Sequence, residues 1–451
     1  MPPWTSNDWQ SNCPLFSKAG FRSEDLLSSA VIIPAFGNNR RLNSVIAALS
    51  RQTVPSHRWQ VIIVDDGSNP PLEIPRAFGL DVKVLRQERN GFGAASAREL
   101  GASRARGVDI LVFLDSDMLP DEEWLEEHLK GHAHKRWVVA CGSRTHVERT
   151  TISEDEVRDC NNLSEVFQDD TQMQPKWLER EWSNTSDGTR KTYRLWRVTS
   201  SGNLSVDTEL YFACGGFDGE GFRTWGGEDN DFGYRAYHEG AIIIPVREAH
   251  AWHLGMGTSQ GPGSESNLFY SRVQLAARID DKSLPRIRGI VPIFPDVVLE
   301  IDCSQTDLDI LLDALPKLCR VASDQNAHFT LDCRYNSYCQ GILGNILARE
   351  PRISVLNSGE APNAPLYPQC SRLVGRSIWR SWTIGEIRTV RGLVGEDKSG
   401  LLRVVDDDLN QVAEFALRRV ARQVHHGILS RDTAFRAFAG RHVGLASLGD
   451  E

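Results

Sequence analysis

Short apolar runs alternate with longer amphipathic stretches through the first quarter of the chain. Each run is bounded by polar residues or glycine, a pattern typical of strands that are buried on both faces. We predict strands at residues 30–35, 61–64, 82–85 and 111–114, and helices at 40–52 and 91–105. Strands that alternate with helices at this spacing indicate an α/β fold with a doubly wound parallel sheet.

Acidic side chains follow two of the predicted strands. Asp65 and Asp66 come after the second strand, and Asp115 and Asp117 follow the fourth. Because the carboxyl ends of parallel strands meet at one edge of a sheet, we expect both pairs at the same ligand-binding rim. Two carboxylates this close repel each other unless a cation joins them, and oxygen ligands suit Mg²⁺ or Mn²⁺. A solvated acidic turn is the competing interpretation.

Two glycines, Gly91 and Gly93, open the second predicted helix and half-match a dinucleotide-binding fingerprint. The third glycine of that fingerprint is missing, and the match follows the third strand rather than the first. A nicotinamide-dependent enzyme is therefore disfavoured. The structural interpretation is that small residues let this helix pack close to the sheet.

Length and charge narrow the class of protein. The 451 residues carry a net charge of −9, which offers no basic field for nucleic acid. The sequence has no apolar run of about 18 residues and therefore predicts no membrane span, and residues 1–21 lack the pattern of a signal peptide. The nine cysteines show no CxxC spacing, so we interpret them as reduced thiols of a cytoplasmic protein.

The second half of the first domain holds a further acidic pair. Glu228 and Asp229 follow Trp225 and two glycines, and they begin a predicted helix that ends at Gly240. A carboxylate at a helix N-terminus is favoured by the helix dipole, so a plain N-cap competes with a catalytic role. An aspartate beside a glutamate is also expected to bind protons more tightly, which suits a general base.

Two other stretches flank this pair. Residues 148–193 are polar with few apolar repeats, and we interpret them as an insertion or a mobile lid. His250 and His253 follow a predicted strand at 241–246. A lone histidine is usually structural, but one placed after a strand in a chain with paired aspartates is a candidate metal ligand.

We divide the chain into an N-terminal arm at residues 1–28, a first domain at 29–285 and a C-terminal α/β domain at 290–451. In the last, strands are predicted at 297–301, 329–333, 353–356 and 401–405, and helices at 307–318, 341–349 and 409–424. Asp406–Asp408 could bind a metal, although capping of the next helix is the favoured role. We expect this domain, with arginines at 372, 376, 380 and 388, to recognise the acceptor or to form a homodimer.

Residues 30–255 resemble the GT-A fold of family-2 glycosyltransferases. The matching positions are Val31 to Ala35 with Asn38, Val64 to Ser68, Asn90-Gly91, Ala97-Arg98, Asp115-Ser116-Asp117, Gly202-Asn203, Gly215 to Asp218, Trp225 to Asp229, and Trp252-His253. The W-G-G-E-D form is also similar to that of chondroitin-polymerase-type and galactosyltransferase-type enzymes, which invert the anomeric centre. Glu99 departs from the family, which usually has asparagine there.

The resemblance implies a mixed sheet flanked by helices and a nucleotide-sugar donor, most often a UDP-sugar. It assigns donor binding to Pro34, Ala35, Asp65, Asp66, Gly91, Arg98, Asp115, Ser116, Trp225 and Gly227. It implies that Asp115-Ser116-Asp117 is the DXD motif of the family. Asp117 and His253 would hold Mn²⁺ or Mg²⁺, with Asp115 in support and His250 in reserve.

In the same resemblance Asp229 is the general base, and Glu228 binds the acceptor or the donor sugar. The expected reaction is an inverting transfer of a hexosyl or N-acetylhexosaminyl group to the hydroxyl of a glycan, a peptide or a small molecule. A noncatalytic nucleotide-sugar-binding or scaffold protein on the same fold is the alternative, although such a protein has no need of a base.

Overall fold

The computed structural model describes residues 7, 9, 27–105, 107–133, 136–189, 192–256, 264–279, 281, 284, 294–333, 337–347, 352–356, 373–380, 382–394, 401–405, 411–425 and 441–444. Most of the predicted N-terminal arm, Asp406–Asp408 and Arg372 lie outside these residues. The chain forms two compact units. One comprises Asn7–Tyr237 and Ala241–Leu275; the other comprises Ala276–Glu451 with Met1–Ser6 and His238–Gly240.

The described residues of the first unit form a nine-stranded sheet with helices on its faces. Its strands are β1 (Ser29–Ala35), β2 (Trp59–Asp66), β3 (Val82–Gln87), β4 (Ile110–Leu114), β5 (Met118–Pro120), β6 (Val138–Val147), β7 (Gln172–Met173), β8 (Asn203–Asp207) and β9 (Ile242–Leu254). Its helices are α1 (Asn39–Leu49), α2 (Ala94–Arg104), α3 (Trp124–Ala133), α4 (Glu154–Asp159), α5 (Leu163–Val166), α6 (Lys176–Asn184), α7 (Thr208–Ala213), α8 (Glu228–His238) and α9 (Ser264–Ala276). Two short 3₁₀ helices cover Ser56–Arg58 and Thr192–Val198.

The spatial order of the strands is β3-β2-β1-β4-β8-β6-β9-β5, and β7 pairs with β6. The first four strands are parallel, as the alternating pattern predicts. Beyond these four strands the sheet is mixed: β8 runs antiparallel to both β4 and β6, and β5 runs antiparallel to β9. The mixed sheet that the resemblance implies is confirmed.

The core of this unit lies between the parallel strands and α2. Every residue of β1 is buried, and α2 presents Ala95, Ala97 and Ala102 to the interior. A Cβ atom on Gly101 would lie 2.5 Å from Cγ2 of Ile32, closer than van der Waals contact allows. Small residues therefore let this helix approach the sheet, as the sequence predicts.

The polar stretch predicted as an insertion or a mobile lid, at 148–193, contains helices α4, α5 and α6 with the short strand β7 among its described residues. A capping box joins Ser153 and Glu156 at the start of α4. Phe167 packs on Trp252 of β9 with ring centroids 5.1 Å apart. The stretch thus packs against the face of β9 that carries Trp252.

Strand β9 is longer than predicted and continues to Leu254, so His253 lies within a strand and not after one. The parallel ladder with β6 pairs Gly142 with Val246 but Ser143 with His250, so three residues of β9 bulge out. Beyond the bulge, His146 pairs with His253. Because three residues, an odd number, bulge out of β9, the bulge changes which side chains of β9 share a face with those of β6.

The second unit contains a seven-stranded sheet among its described residues, ordered β12-β11-β10-β13-β15-β14-β16. The strands are β10 (Val297–Asp302), β11 (Ala327–Asp332), β12 (Ile353–Leu356), β13 (Leu373–Ile378), β14 (Leu401–Val405), β15 (Gln411–Leu417) and β16 (Arg441–Gly444). The helices are α10 (Leu308–Asp324), α11 (Ser337–Leu347), α12 (Ile384–Leu393) and α13 (Arg418–His425).

A second α/β unit is confirmed, but the single helix predicted at 409–424 is wrong. Residues Gln411–Leu417 form a strand that pairs antiparallel with β13 and β14, and the helix begins only at Arg418. Among the described residues of the chain, none of the helices is long and apolar enough to cross a bilayer.

We expect Gly101→Ala to lower the free energy of unfolding by about 1–3 kcal/mol, because the added methyl group must push into the Ile32 side chain. Urea denaturation followed by tryptophan fluorescence measures the change. Gly344→Ala is the matched control: it lies in α11 with nothing within 4 Å of an added Cβ, so the same substitution gains up to about 1 kcal/mol of helix propensity. Equal effects of the two substitutions would contradict the close approach.

Candidate active site

The first acidic residue of the DXD motif is fixed by its backbone and by an arginine. The Asp115 amide donates to Gly202 O at 3.1 Å, and Arg98 Nη2 donates to Asp115 Oδ1 at 2.7 Å. A Cβ on Gly202 would lie 2.5 Å from Asp115 Oδ2. Glycine is therefore needed at 202 so that the carboxylate can lie against the turn before β8.

Arg98 joins this carboxylate to the acidic pair of α8. Its Nη1 lies 3.3 Å from Glu228 Oε1, and the side chains of Arg98 and Glu228 are only 4% and 9% exposed. Glu228 Oε2 is buried with no hydrogen-bond partner among the described residues. One buried cation thus brings the end of β4 and the start of α8 together, and one carboxylate oxygen remains available.

Asp117 faces His253 across the antiparallel pair of β5 and β9. His253 Nε2 lies 3.8 Å from Asp117 Oδ1, and His253 Nδ1 lies 3.0 Å from Gly255 O. A proton on Nδ1 would make that hydrogen bond and leave Nε2 with a lone pair directed at the carboxylate side. Burial raises the pKa of Asp117, and the nearby His253 opposes the rise.

This pair fits a divalent cation only in part. No three histidine, cysteine, aspartate or glutamate side chains in the described ranges lie close enough to hold an ion by themselves. Asp117 and His253 would supply two ligands, and the remaining positions would fall to diphosphate oxygens and water, which is the usual manner of Mg²⁺ binding. The donor set therefore fits a metal that arrives with a diphosphate.

His250, the reserve ligand, belongs to the opposite face of β9. Its Nδ1 lies 2.7 Å from Asp121 Oδ2 and its Nε2 lies 2.9 Å from Thr145 Oγ1. It is three residues from His253, an odd separation that reverses the direction of a side chain in a strand. With both ring nitrogens engaged, His250 supports the strand and does not face Asp117.

Asp229 follows Glu228 in the first turn of α8. Its Oδ1 accepts from the amide of Asn230 at 2.8 Å. Burial and the adjacent Glu228 raise the pKa of Asp229 to about 7, against the lowering effects of Arg98 and Arg144. A carboxylate with such a pKa exchanges protons near neutral pH, as a general base requires.

Asp65 and Asp66, the predicted donor-binding residues at the end of β2, already make hydrogen bonds and ion pairs within the protein. Asp65 accepts from the amide of Ser68 at 2.9 Å and pairs with Arg86; burial opposes these interactions, yet the pKa of Asp65 is lowered. Asp66 accepts from the amide of Gly93 at 3.0 Å. Both carboxylates therefore also shape the loops that follow β2 and β3.

The remaining predicted donor-binding residues lie beside these loops and the α8 turn. Pro34 and Ala35 are buried, and Ser116 and Trp225 are half-buried. A Cβ on Gly91 would lie 2.3 Å from Arg223 O, so glycine permits a close contact between two loops. Gly227 has φ +97°, which only glycine adopts readily. Glu99, where the family has asparagine, accepts from the Tyr211 hydroxyl at 2.6 Å.

Sequence reasoning missed three residues that face the same centre. Arg41 Nη1 lies 3.7 Å from Asp117 Oδ2, and the His146 ring lies 4.3 Å from the His253 ring. Arg144 lies within electrostatic range of Asp115, Asp229 and Asp117. The usable signal is the alternation Arg144-Thr145-His146 in β6, which puts two basic side chains on one face.

Comparisons with known proteins match parts of the first unit to glycosyltransferases. Residues 30–159 match the glycosyl transferase family 2 model, and residues 180–250 match a model described as the N-terminal domain of galactosyltransferase. The chain is 30% identical to the chondroitin synthase of Escherichia coli over 253 residues, which is 52% of this chain and 35% of that protein. It is 28% identical to the validoxylamine A glucosyltransferase of Streptomyces hygroscopicus subsp. limoneus over 234 residues, 49% of this chain and 50% of that protein.

Among solved structures, a crystal structure of GalNAc-T7 with UDP, GalNAc and Mn²⁺ matches at 17% identity with a TM-score of 0.35, covering 57% of this chain and 51% of that one. On the family model and the curated relatives, the first unit resembles the glycosyltransferases of family 2. The chain spans about a third to a half of the length of the two curated relatives named here.

We expect Asp229→Asn to stabilise the protein in a pH-dependent manner. The raised pKa of Asp229 means that wild type loses stability as the pH rises from about 4, where the unfolded carboxyl ionises, to about 7. The variant escapes this loss, so its gain is absent at pH 4 and complete at pH 8, with an upper bound of about 4 kcal/mol. Urea denaturation at both pH values measures it.

The matched control is Asp159→Asn, which changes an exposed carboxyl at the end of α4. It is expected to leave the difference between pH 4 and pH 8 as in wild type. A gain for Asp229→Asn that is the same at both pH values would mean that the charge of Asp229 is not the cause.

Proposed function

We propose that the first unit transfers a hexosyl or N-acetylhexosaminyl group from a nucleotide-sugar, namely a UDP-sugar, to an acceptor hydroxyl with inversion. The observation that carries the proposal is the Arg98 bridge, which joins Asp115 of the DXD motif to Glu228 beside Asp229. A single displacement needs the donor and the base to be held close together, and this bridge joins the two segments that carry them. The family match over residues 30–159 supports sugar transfer as the reaction class.

Each group has a role that follows from its surroundings. Asp229, whose pKa is about 7, takes the proton of the acceptor hydroxyl as that oxygen attacks the anomeric carbon. Glu228 Oε2, a buried acceptor atom with no hydrogen-bond partner in the described part of the chain, accepts from a sugar hydroxyl. Trp225 offers a half-buried ring face to a sugar.

On the donor side, Asp117 and His253 would hold Mn²⁺ or Mg²⁺, with Asp115 near them on the Arg98 side. When bound, the metal supplies positive charge that offsets the charge developing on the departing diphosphate. Pro34, Asp65 and the loops they border would receive the base and ribose. The acceptor is a glycan, a peptide or a small molecule, and the second unit recognises it or joins two chains as a dimer.

We expect Asp229→Asn to lower kcat by about 100-fold or more, since it removes the proton acceptor but keeps the size of the side chain. Release of UDP from a panel of UDP-sugars in the presence of Mn²⁺ measures the rate. For wild type, kcat should fall below an apparent pKa of about 7 as Asp229 becomes protonated.

Asp159→Asn serves again as the exposed control and should keep the wild-type rate. A noncatalytic binder would give no UDP release from any donor, although donors would still raise its melting temperature. Turnover by Asp229→Asn at the wild-type rate would remove Asp229 from the role of base.

We expect His253→Ala to weaken the binding of Mn²⁺ in the presence of UDP by about 10-fold or more, because a nitrogen ligand is lost. His250→Ala should change that affinity much less, since His250 contacts Asp121 and Thr145 on the other face of β9. Titration of Mn²⁺ followed by electron paramagnetic resonance measures both, and EDTA should abolish UDP release. A larger loss with His250→Ala would reverse the assignment.

A further inference from the structure

Arg144 has no part in the roles assigned so far. It lies on β6, two residues before His146, so both side chains share the face of the sheet that carries His253. Its guanidinium donates to Ser200 Oγ in the segment before β8. Ser200 is the acceptor for Arg144 among the described residues, and no other guanidinium nitrogen of Arg144 is a buried atom without a partner. The remaining N–H groups have no protein acceptor among the described residues and can therefore donate to a ligand.

The fold fixes where Arg144 lies relative to the site. It is two residues before His146, whose ring lies 4.3 Å from the ring of His253. Its partner Ser200 is two residues before the carbonyl that accepts from the Asp115 amide. Burial lowers the pKa of Arg144, and the negative charge of the neighbouring aspartates opposes that effect. Arg144 therefore lies beside Asp115 and the histidine proposed to hold the metal, where the diphosphate must bind for transfer to occur.

Arg98 cannot serve at this point. Its Nη2 is committed to Asp115 and its Nη1 to Glu228, and its side chain is only 4% exposed. Arg41 lies beside Asp117, and its Nε donates to Thr150 O. Arg144 has a single hydroxyl as its hydrogen-bond partner among the described residues and keeps donors for a ligand, whereas Arg41 lies on the outer side of Asp117 with its Nη1 3.7 Å from that carboxylate.

We propose that Arg144 is a catalytic residue that donates hydrogen bonds to the β-phosphate of the donor. This inference rests on the proposed function and adds a residue to it. As the anomeric C–O bond breaks, its electron pair passes to the β-phosphate oxygen, and the acceptor oxygen forms the new bond while its proton goes to Asp229. Arg144 stabilises the charge that grows on that phosphate, and a guanidinium suits two phosphate oxygens at once.

The test compares two nucleotides that differ by one phosphate. Isothermal titration with UDP and with UMP, each in the presence of Mn²⁺, is carried out on wild type, Arg144→Met and Arg144→Lys. Arg144→Met should weaken UDP binding about 10-fold and UMP binding less than about 2-fold, because UMP has no β-phosphate. Arg144→Lys, which keeps the charge but loses the fork, should fall between wild type and Arg144→Met. The rate of UDP release should fall about 100-fold in Arg144→Met.

Arg149→Met is the matched control, because Arg149 faces Glu156 and Asp170 in the insertion. It should bind both nucleotides as wild type does. Equal weakening of UDP and UMP, or unchanged UDP binding with only the pH profile of the rate displaced, would overturn the proposal, because Arg144 would then act on the fold or on Asp229. If Arg144→Met fails to fold, the ratio of UDP to UMP affinity in Arg144→Lys decides. Failure of wild type to bind UDP would instead count against the proposed donor.

Discussion

The site depends on one buried cation that must satisfy two carboxylates. Arg98 comes from α2, Asp115 from the end of β4 and Glu228 from the start of α8, so three distant segments of the chain meet at one guanidinium. An arginine with 4% exposure is costly unless its charge is matched, and Glu228, whose side chain is 9% exposed, would also be costly without it. The three segments therefore hold one another in place. The start of α8 is held beside the end of β4 because this charge balance leaves little freedom.

The strands β6 and β9 divide their side chains between chemistry and support. On one face lie Arg144, His146 and His253, which point toward the acidic centre. On the other face Val147, Trp252 and Leu254 join a buried cluster with Ile152, Val157 and Phe167 of the insertion. The insertion thus packs against the strand that carries His253. Asn203 secures the bulge between the two strands, since its amide donates to Ser143 O at 2.7 Å and to Ala249 O at 2.9 Å.

Much of this arrangement could be predicted because apolar runs and the acids that end them are local features. The strands near residues 30, 61 and 111 and the pair Asp115 and Asp117 follow from the pattern alone. For Arg144 and His146 the alternation along β6 predicts only that the two side chains share a face, and the partner strand β9 is needed to show that this face carries His253. The direction of β8 likewise depends on pairing with β4 and β6, which no local pattern encodes.

The stretch 412–417 shows a different limit. Val412, Ala413 and Phe415 to Leu417 are apolar at spacings that fit either a helix face or a buried strand, and pairing with β13 and β14 decides in favour of the strand.

The bulge of β9 opposite Gly142 and Ser143 limits how such a domain can diversify. Adding or deleting a single residue in β6 or β9 would turn the imidazoles toward the insertion and Trp252 toward the cleft. New specificities must therefore arise by substitution and by changes in loop length, while the two strands keep their count.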